Sequence, residues 1–369
     1  MKKVLALTLA LLLCLSVFAA CGSNPASSSS APSSSESAVE ATPTPAPTAE
    51  PTEEPTPEPT QEPTPEPVDD TVAKVAALKG PTAMGMVQMM AESDAADDPA
   101  YEFTIAAAID EITPNLVQGN YDIAAVPANV ASVLYNNTEG KIQVLALNTL
   151  GVLYIAEKGD TVHSVEDLRG RTIYSSGKGA TPEYALEYVL KQNGLDPETD
   201  VTIEWKSEHA ECVAALAADE TALAMLPQPF LTTAMMKDDT IRVALDLNEE
   251  WEELFASGAT DASTLITGCV VVRKAFAEEH PQVVEQFLRD YQESVNLALF
   301  EPDECAALIG QYDIVPEAVA KKALPACNIV FISGGDMKES LASYLQVLYD
   351  FNPKAVGGAM PGDDFYYGA

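Results

Sequence analysis

Short apolar runs of strand length alternate with helical patterns through most of the chain. The first apolar run covers residues 73–78 and ends at Gly80-Pro81, and a helical pattern follows over 84–92. The later runs that we predict to be strands are 102–107, 121–126, 142–147, 152–156, 172–174, 202–205, 222–226, 241–245 and 265–272. Because strands that alternate with helices form βαβ units, this pattern predicts an α/β fold with parallel sheets.

The order of these runs predicts a discontinuous first domain. Two series of strand–helix units, the first of which ends with 152–156, are followed by one strand, and the residues after 275 show helical patterns only. We therefore expect a first lobe formed by 68–155 and 268–369 and a second lobe formed by 156–267. Two crossings between lobes form a hinge, and ligands of open α/β sheets bind beyond the carboxyl ends of the strands.

The first 20 residues have the layout of a secretory signal peptide. Lys2 and Lys3 precede an uncharged run rich in Leu and Ala over 4–20. Small residues then precede Cys21, and Gly-Ser follows it, which resembles the lipobox of bacterial lipoproteins. The resemblance implies that Cys21 is acylated and holds the protein on the extracytoplasmic face of the bacterial cell membrane. A retained transmembrane helix is the weaker alternative, because the run is short for a bilayer and no basic stop-transfer residues follow it.

Residues 21–67 are rich in Ser and then in Pro, Thr and Glu. This segment has almost no large apolar residues, so it cannot bury enough surface to offset the entropy of ordering. Frequent Pro favours extended polyproline II structure. The composition predicts a disordered linker, either a spacer through a cell wall or a passive tail, and a folded part that starts near residue 68.

The charge and the cysteines narrow the range of partners. The net charge is −36 and no Lys/Arg cluster is present, so we expect no nucleic-acid partner, and no membrane contact apart from the lipid anchor. Besides Cys21, the chain after the signal peptide has Cys212, Cys269, Cys305 and Cys327, which lack metal-ligand spacing. We therefore expect no metal and no cofactor. Whether Cys305 and Cys327 form a disulfide stays open, because spacing alone does not determine their geometry.

Four strings in the folded part resemble one known family. They are DIAAVP at 122–127, SVEDLRGRTI at 164–173, LPQPF at 226–230 and VVRKAFAEEHPQVV at 271–284. In this order they resemble type II periplasmic binding proteins, in the branch that holds the binding proteins for nitrate, taurine, alkanesulfonates and thiamine pyrimidine precursors. The resemblance extends from residue 72 to about 349.

The resemblance implies two lobes, each a doubly wound sheet with helices on both faces, joined by a two-strand hinge. It implies a monomer that closes on a small-molecule ligand and passes it to the permease and ATPase subunits of an ABC importer. The ligand class stays open between a small organic molecule and an oxyanion: nitrate, a sulfonate or a thiamine precursor. The strings also differ from the family pattern, because Pro227-Gln228 stands where the family has Trp-Glu.

Two loops that join a strand to a helix are the candidate binding elements. Such loops present free backbone N–H groups, and glycines let a ligand approach the backbone. Amide side chains that follow other strands are further candidates for binding the ligand. The predicted ligand-binding residues are Lys79, Gly80, Pro81, Thr82, Asn129, Asn148, Ser176, Gly177, Lys178, Gly179, Ala180, Thr181 and Gln228. The alternative is that both loops are ordinary βα turns, which every doubly wound protein contains.

No catalytic residues are predicted. His163, His209 and His280 are scattered along the chain, and we expect all three at the surface. Two alternatives to an importer component remain. One is an enzyme on the same fold, of the thiamine-pyrimidine or menaquinone-precursor type, and the other is a sensor or surface lipoprotein without a transport role.

Overall fold

The computed structural model describes residues 69–256 and 263–369, which contain two β-sheets with helices packed against them. The strands are β1 (Ala73–Leu78), β2 (Tyr101–Ala106), β3 (Ile123–Pro127), β4 (Ile142–Leu150), β5 (Leu153–Lys158), β6 (Thr172–Ser176), β7 (Thr202–Lys206), β8 (Leu223–Pro227), β9 (Ile241–Asp246), β10 (Ile266–Arg273) and β11 (Ile329–Ser333). The helices are α1 (Pro81–Met84), α2 (Val87–Ala95), α3 (Ile109–Gln118), α4 (Ala128–Asn137), α5 (Thr181–Gln192), α6 (His209–Ala218), α7 (Phe230–Lys237), α8 (Leu247–Ala256), α9 (Lys274–Glu279), α10 (Pro281–Phe300), α11 (Pro302–Gln311), α12 (Glu317–Ala323) and α13 (Gly334–Phe351). The predicted signal peptide, Cys21 and the linker lie outside the described residues.

The first lobe is built on a six-stranded sheet with the order β11-β4-β10-β3-β1-β2. Strands β1, β2 and β3 are parallel, whereas β10 runs antiparallel to both of its neighbours. Val75 and Ala77 of β1 pack with α1, α2 and α10 on one face, and Ala76 faces the core on the other side. Because side chains alternate along a strand, this central strand is covered on both faces, as parallel sheets require.

The second lobe is built on a five-stranded sheet with the order β7-β6-β8-β5-β9 and helices α5 to α8. The placement of 152–156 in the first series of strands was wrong, because β5 pairs with β8 and β9. The predicted boundary between 155 and 156 therefore falls inside one strand, and by strand pairing the chain crosses at Gly151-Val152. A fully apolar strand is compatible with either sheet, and only its tertiary pairing decides which one it joins.

The end of the chain also differs from the prediction of helices alone. Residues Ile329–Ser333 form β11, which pairs with β4 at the edge of the first sheet and has a register irregularity between Ile329 and Ile332. Beyond α13, Phe365 is buried and Tyr366 bridges to Val144, so the last residues dock on the first lobe. A short edge strand pairs on one side only, which leaves a weak pattern in the sequence.

The two lobes share a packed apolar contact on one side. Trp251 of α8 and Tyr344 of α13 are both fully buried, with ring centroids 5.7 Å apart. Tyr188 of α5 meets Phe351 edge to face at 5.5 Å. Trp251 and Tyr344 belong to one continuous core that contains residues of both sheets, and Tyr188 packs against it. The lobes are therefore joined by buried aromatic contacts as well as by the two chain crossings.

The cysteines of the described residues are buried thiols. Cys212, Cys269, Cys305 and Cys327 are all free, so the pairing of Cys305 with Cys327 that the sequence left open is not formed in this structure. Burial raises the pKa of the Cys212 thiol to about 11 and that of Cys305 to about 12. High pKa values keep these groups in the unreactive thiol form at neutral pH.

Candidate functional site

The carboxyl ends of strands from both sheets meet in a cleft between the lobes. Strands β1 and β3 end there on the first-lobe side, and β8 ends there on the second-lobe side, where Pro227 pairs with Leu153. A small cavity of about 60 Å³ lies at this meeting point, and we call it the inner chamber. Its lining residues are Leu78, Lys79, Gly80, Pro81, Thr82, Pro127, Thr149, Val152, Leu153, Pro182, His209, Pro227 and Thr267.

The inner chamber is largely apolar, and its hydroxyl groups are already used as donors. Thr82 Oγ1 donates to the carbonyl of Leu78 at 2.6 Å, and Thr267 Oγ1 donates to the carbonyl of Leu150 at 2.5 Å. Thr149 Oγ1 donates to Asn148 Oδ1 at 3.2 Å. Since each hydroxyl has one proton, these three side chains can only accept a further hydrogen bond. Apart from Lys79 and His209, the chamber therefore offers acceptors and proline surface, which suits a weakly polar group.

A second cavity of about 280 Å³ adjoins the first, and we call it the outer chamber. The second lobe contributes α6 and α7 to it, and the first lobe contributes the turn between α11 and α12. The residues that line it are Lys79, Ala107, Glu208, His209, Ala210, Val213, Phe230, Thr233, Lys237, Asp313, Ile314, Val315 and Pro316. Lys79 and His209 line both chambers and so mark their junction.

His209 is half-buried at this junction, so the prediction that it lies at the surface was wrong. Its Nδ1 lies 2.6 Å from Ser176 Oγ, and its ring lies 5.0 Å from the Phe230 ring, centroid to centroid. Burial lowers the pKa of His209 to about 4, because removing water disfavours the charged imidazolium. The ring is therefore neutral at neutral pH, and it is held in place through Nδ1.

The histidines outside the cleft have different surroundings. His163 is exposed, as predicted. His280 is half-buried, contrary to the prediction, and its Nδ1 lies 2.8 Å from Asp69 Oδ2. That contact holds the start of the described chain against α10. A hydrogen bond from Thr71, and then the one from His280, lower the pKa of the Asp69 carboxyl. Neither histidine lines the two chambers.

Lys79 is the cation at the junction, and its ammonium makes no hydrogen bond or ion pair with the described residues. By contrast, Lys158 lies 2.9 Å from Glu220 and 3.4 Å from Asp238. The arginines of the chain all lie elsewhere. They contact Asp200 (Arg169), Thr161 and Thr221 (Arg171), Glu157 (Arg242), Asp122 (Arg273) and Gln286 (Arg289). The cleft therefore holds one half-buried cation and no guanidinium among the residues that line it.

The predicted loop over 176–181 lies between the lobes, but its polar groups contact protein. Asn129 Nδ2 donates to the carbonyls of Gly179 at 3.3 Å and Ala355 at 2.9 Å, and Thr181 Oγ1 donates to Asn129 Oδ1 at 3.3 Å. Asn129 thus links the lobes. The loop reaches the chambers indirectly, through Ser176, which contacts His209.

The other predicted loop residues have varied surroundings. Gly177 and Gly179 have φ values of 82° and 80°, which favour glycine, and Lys178 is exposed while Ala180 is buried. From α5, Pro182 lines the inner chamber. In the first predicted loop, all four residues from Lys79 to Thr82 line the inner chamber. The helix that follows that loop has only four residues, so its dipole is weak.

Two predicted amides lie beside the chambers without lining them. Asn148 is fully buried behind Thr149, and its Nδ2 has no hydrogen-bond partner among the described residues. Gln228 Oε1 accepts from the hydroxyl of Thr232 at 2.7 Å and from its N–H at 3.3 Å, at the start of α7. These contacts stabilise the first turn of the helix.

Several residues that line the chambers were not predicted, although the sequence contained a signal for two of them. His209 begins a helix directly after β7, and Phe230 begins a helix after β8, so both follow strands at the same edge of the sheet. Phe230 also lies in the string at 226–230 that carries the family resemblance. No sequence signal marked Ile314, Val315 and Pro316, because that turn reaches the cleft only through packing of the helices.

Comparison with protein families assigns the class. Residues 71–314 match the family described as ABC transporter, phosphonate, periplasmic substrate-binding protein. The chain belongs to this family. The matching family is described as one of substrate-binding proteins of ABC transporters, and the similar structures described below are named as transporter or binding proteins rather than as enzymes. The predicted resemblance to periplasmic solute-binding proteins is confirmed.

One characterised relative and several solved structures are similar to the chain. The riboflavin-binding protein RibY of Chloroflexus aurantiacus is 25% identical over 207 residues, which are 53% of this chain and 52% of that protein. The chain thus spans about half the length of this curated relative.

Solved structures share the fold. An ABC transporter protein from Parabacteroides distasonis has a TM-score of 0.65 at 24% identity, covering 80% of this chain and 98% of its own. The aliphatic sulphonate-binding protein SsuA of Escherichia coli has a TM-score of 0.60 at 14% identity, with coverage of 78% and 90%. The nitrate-binding protein NrtA of Synechocystis has a TM-score of 0.55 at 15% identity, with coverage of 68% for each chain. The predicted two-lobed α/β fold is confirmed.

The described residues contain no helix that is both long enough and apolar enough to cross a membrane. Within the same residues, no group of three or more His, Cys, Asp or Glu side chains is placed to hold a metal ion.

Proposed function

We propose that this protein captures a small organic molecule between its two lobes and delivers it to the permease and ATPase subunits of an ABC importer. One observation carries this proposal. Two adjoining chambers lie between the strand ends of the two sheets, and both lobes contribute to each of them. Ligands of open α/β sheets bind at this position.

The chemistry of the chambers favours an organic ligand over a bare oxyanion such as nitrate. A bare oxyanion needs several converging donors, and the guanidinium of arginine is the side chain best suited to bind two oxygens of such a group at once. The lining contains no arginine, and the hydroxyls of Thr82, Thr149 and Thr267 donate into the protein. Proline and aromatic surfaces stabilise an apolar body instead. The riboflavin-binding relative supports the same choice, since its named ligand has a ring system.

The remaining parts of the proposal concern the ends of the chain and the lobe boundaries. We place the signal peptide at 1–20, the acylated Cys21 on the extracytoplasmic membrane face, and the linker at 21–67. We place the hinge at the two crossings, Gly151-Val152 and 263–265, around which the lobes of a monomer close on the ligand. The lipobox string and the two-sheet topology support these assignments.

A ligand screen tests the function. The purified full-length protein in detergent would be assayed by thermal shift against riboflavin, thiamine pyrimidine precursors, other heterocycles, sulfonates, bicarbonate and nitrate. We expect a saturable shift with one organic class, of several degrees at about 100 times the Kd, where binding adds roughly 2.7 kcal/mol. Small-angle scattering would show a decrease in radius of gyration on binding. A shift with nitrate alone would contradict the organic ligand, and no shift with any compound would contradict the function.

The anchor has a separate test. Radiolabelled palmitate should enter the wild-type chain in bacteria, and Cys21→Ser should abolish labelling and release the protein from the membrane fraction. Cys212→Ser is the matched control, because that thiol is buried in the second lobe. Equal labelling of wild type and Cys21→Ser would refute the anchor.

A further inference from the structure

The junction of the two chambers joins two different kinds of recognition group. Lys79 brings an ammonium that is unpaired among the described residues, and His209 brings a ring that burial keeps neutral. Because both side chains line both chambers, a ligand that spans the junction contacts both of them. A half-buried cation without a protein partner is a position where an anionic ligand group gains a charge-assisted hydrogen bond.

The outer chamber has the walls of a site for a flat ring. The second lobe supplies the aromatic rings of His209 and Phe230, which lie 5.0 Å apart and are tilted by 41°. The first lobe supplies Ile314, Val315 and Pro316. A cavity of about 280 Å³ with aromatic groups on one lobe and apolar groups on the other holds a planar ring when the lobes meet.

We propose that the ligand is a planar organic anion whose ring lies in the outer chamber against His209 and Phe230 and whose anionic group pairs with Lys79. This inference rests on the proposed function and specifies its substrate class. The anionic group faces Lys79 at the junction, and a small apolar end of the ligand fits the inner chamber of about 60 Å³.

His209 acts as a specificity residue in this arrangement. Its Nδ1 is engaged with Ser176 Oγ, so Nε2 is the nitrogen left to hydrogen-bond the ligand. A neutral ring next to Phe230 stacks on a planar group without attracting a second anion. The other charged groups that line the outer chamber are Glu208, Lys237 and Asp313, and all three are exposed. Solvent screens exposed charges, so Lys79 dominates the selection of charge.

Matched pairs of compounds test this assignment without knowledge of the natural ligand. The probes are nicotinate with nicotinamide, and indole-3-carboxylate with indole-3-carboxamide, and acetate serves as an anion without a ring. Binding to the full-length protein would be measured by calorimetry at neutral pH. We expect the acid of at least one pair to bind about 10-fold more tightly than its amide, as one charge-assisted hydrogen bond provides, and acetate to bind more weakly than that acid.

Two variants assign the effect to residues. Lys79→Gln should abolish the preference for the acid and leave binding of the amide unchanged. Phe230→Ala should weaken the binding of the acid and of the amide of a pair by the same factor, because it removes ring contact only. Lys322→Gln is the matched control, since Lys322 is exposed on α12 and lines neither chamber. Melting temperatures of the unliganded variants would show that each one is folded.

Several results would overturn the inference. These are equal binding of acid and amide in both pairs, acetate binding as tightly as the ring acids, a preference that survives Lys79→Gln, and no binding of any ring acid. The inference and the proposed function fail separately. A saturable shift with riboflavin or another neutral compound together with any of these results would overturn the planar anion and leave the importer component standing. No shift with any compound would overturn both.

Discussion

The two sides of the contact between the lobes use polar and aromatic residues in opposite ways. On the packed side, Asn129 and Thr181 bond each other, and Trp251 and Tyr344 are fully buried. On the cleft side, Lys79 has no ionic partner among the described residues, and the rings of His209 and Phe230 are half-buried beside open cavities. Residues on the packed side already have protein partners, so they stabilise the fold. Residues on the cleft side still have hydrogen-bonding groups and ring surface available for a ligand. Proximity to strand ends alone does not separate these roles.

The largest expected effect concerns the packed side. Trp251→Ala removes a fully buried ring and its Nε1 hydrogen bond to the carbonyl of Ser263 at 3.1 Å. We expect a loss of about 3–5 kcal/mol in the free energy of unfolding, measured by urea denaturation. Phe230→Ala, an aromatic truncation on the cleft side, is the control and should lose clearly less. Equal losses would contradict the distinction between the two sides.

The link made by Asn129 should give the next largest effect. Asn129→Ala leaves the Thr181 hydroxyl and the Ala355 carbonyl without this partner in a buried place. We expect the free energy of unfolding to decrease by about 1–3 kcal/mol. Asn193→Ala is a control, because its side chain donates to the Val189 carbonyl within its own helix and does not link the lobes. A stable Asn129→Ala protein that loses ligand binding would show instead that Asn129 is a direct ligand contact.

His209 gives a pH-dependent test of the cleft side. Its pKa is lowered to about 4 in the folded protein, against about 6.5 when unfolded, so the unfolded chain binds more protons between these values. Stability should therefore decrease as the pH falls from about 6.5 towards 4. The contribution of His209 to stability is measured as the difference in melting temperature between wild type and His209→Gln at each pH in this range. Identical profiles for wild type and His209→Gln would show that burial of this ring does not shift its titration.

The smallest effect on stability is expected for the residue with the largest expected effect on ligand binding. Lys79→Gln removes a half-buried ammonium that has no partner among the described residues, so the free energy of unfolding should change by no more than about 0.5 kcal/mol. Chemical denaturation would measure this value beside Lys322→Gln. A loss above about 2 kcal/mol would place Lys79 among the structural residues.

Parts of the candidate site were predictable from the sequence and parts were not. Lys79 to Thr82 follow the first strand and were selected by the rule that ligands bind at strand ends, and they line the inner chamber. The same rule selected the loop at 176–181, whose Gly179 and Thr181 instead contact Asn129 from the other lobe. A sequence pattern shows that a loop follows a strand, but not whether the opposite lobe has already filled its hydrogen bonds.

The sequence by itself determined the class of this protein and its alternation of strands and helices. Those properties follow from local periodicity, turn residues and strings such as the one at 164–173. The tertiary structure alone decided that β5 joins the second sheet, that Ile329–Ser333 forms a strand, and that His209 meets Lys79 at one junction. The reason is physical. Strand pairing, burial and desolvation depend on residues that are distant along the chain, so no local pattern contains them.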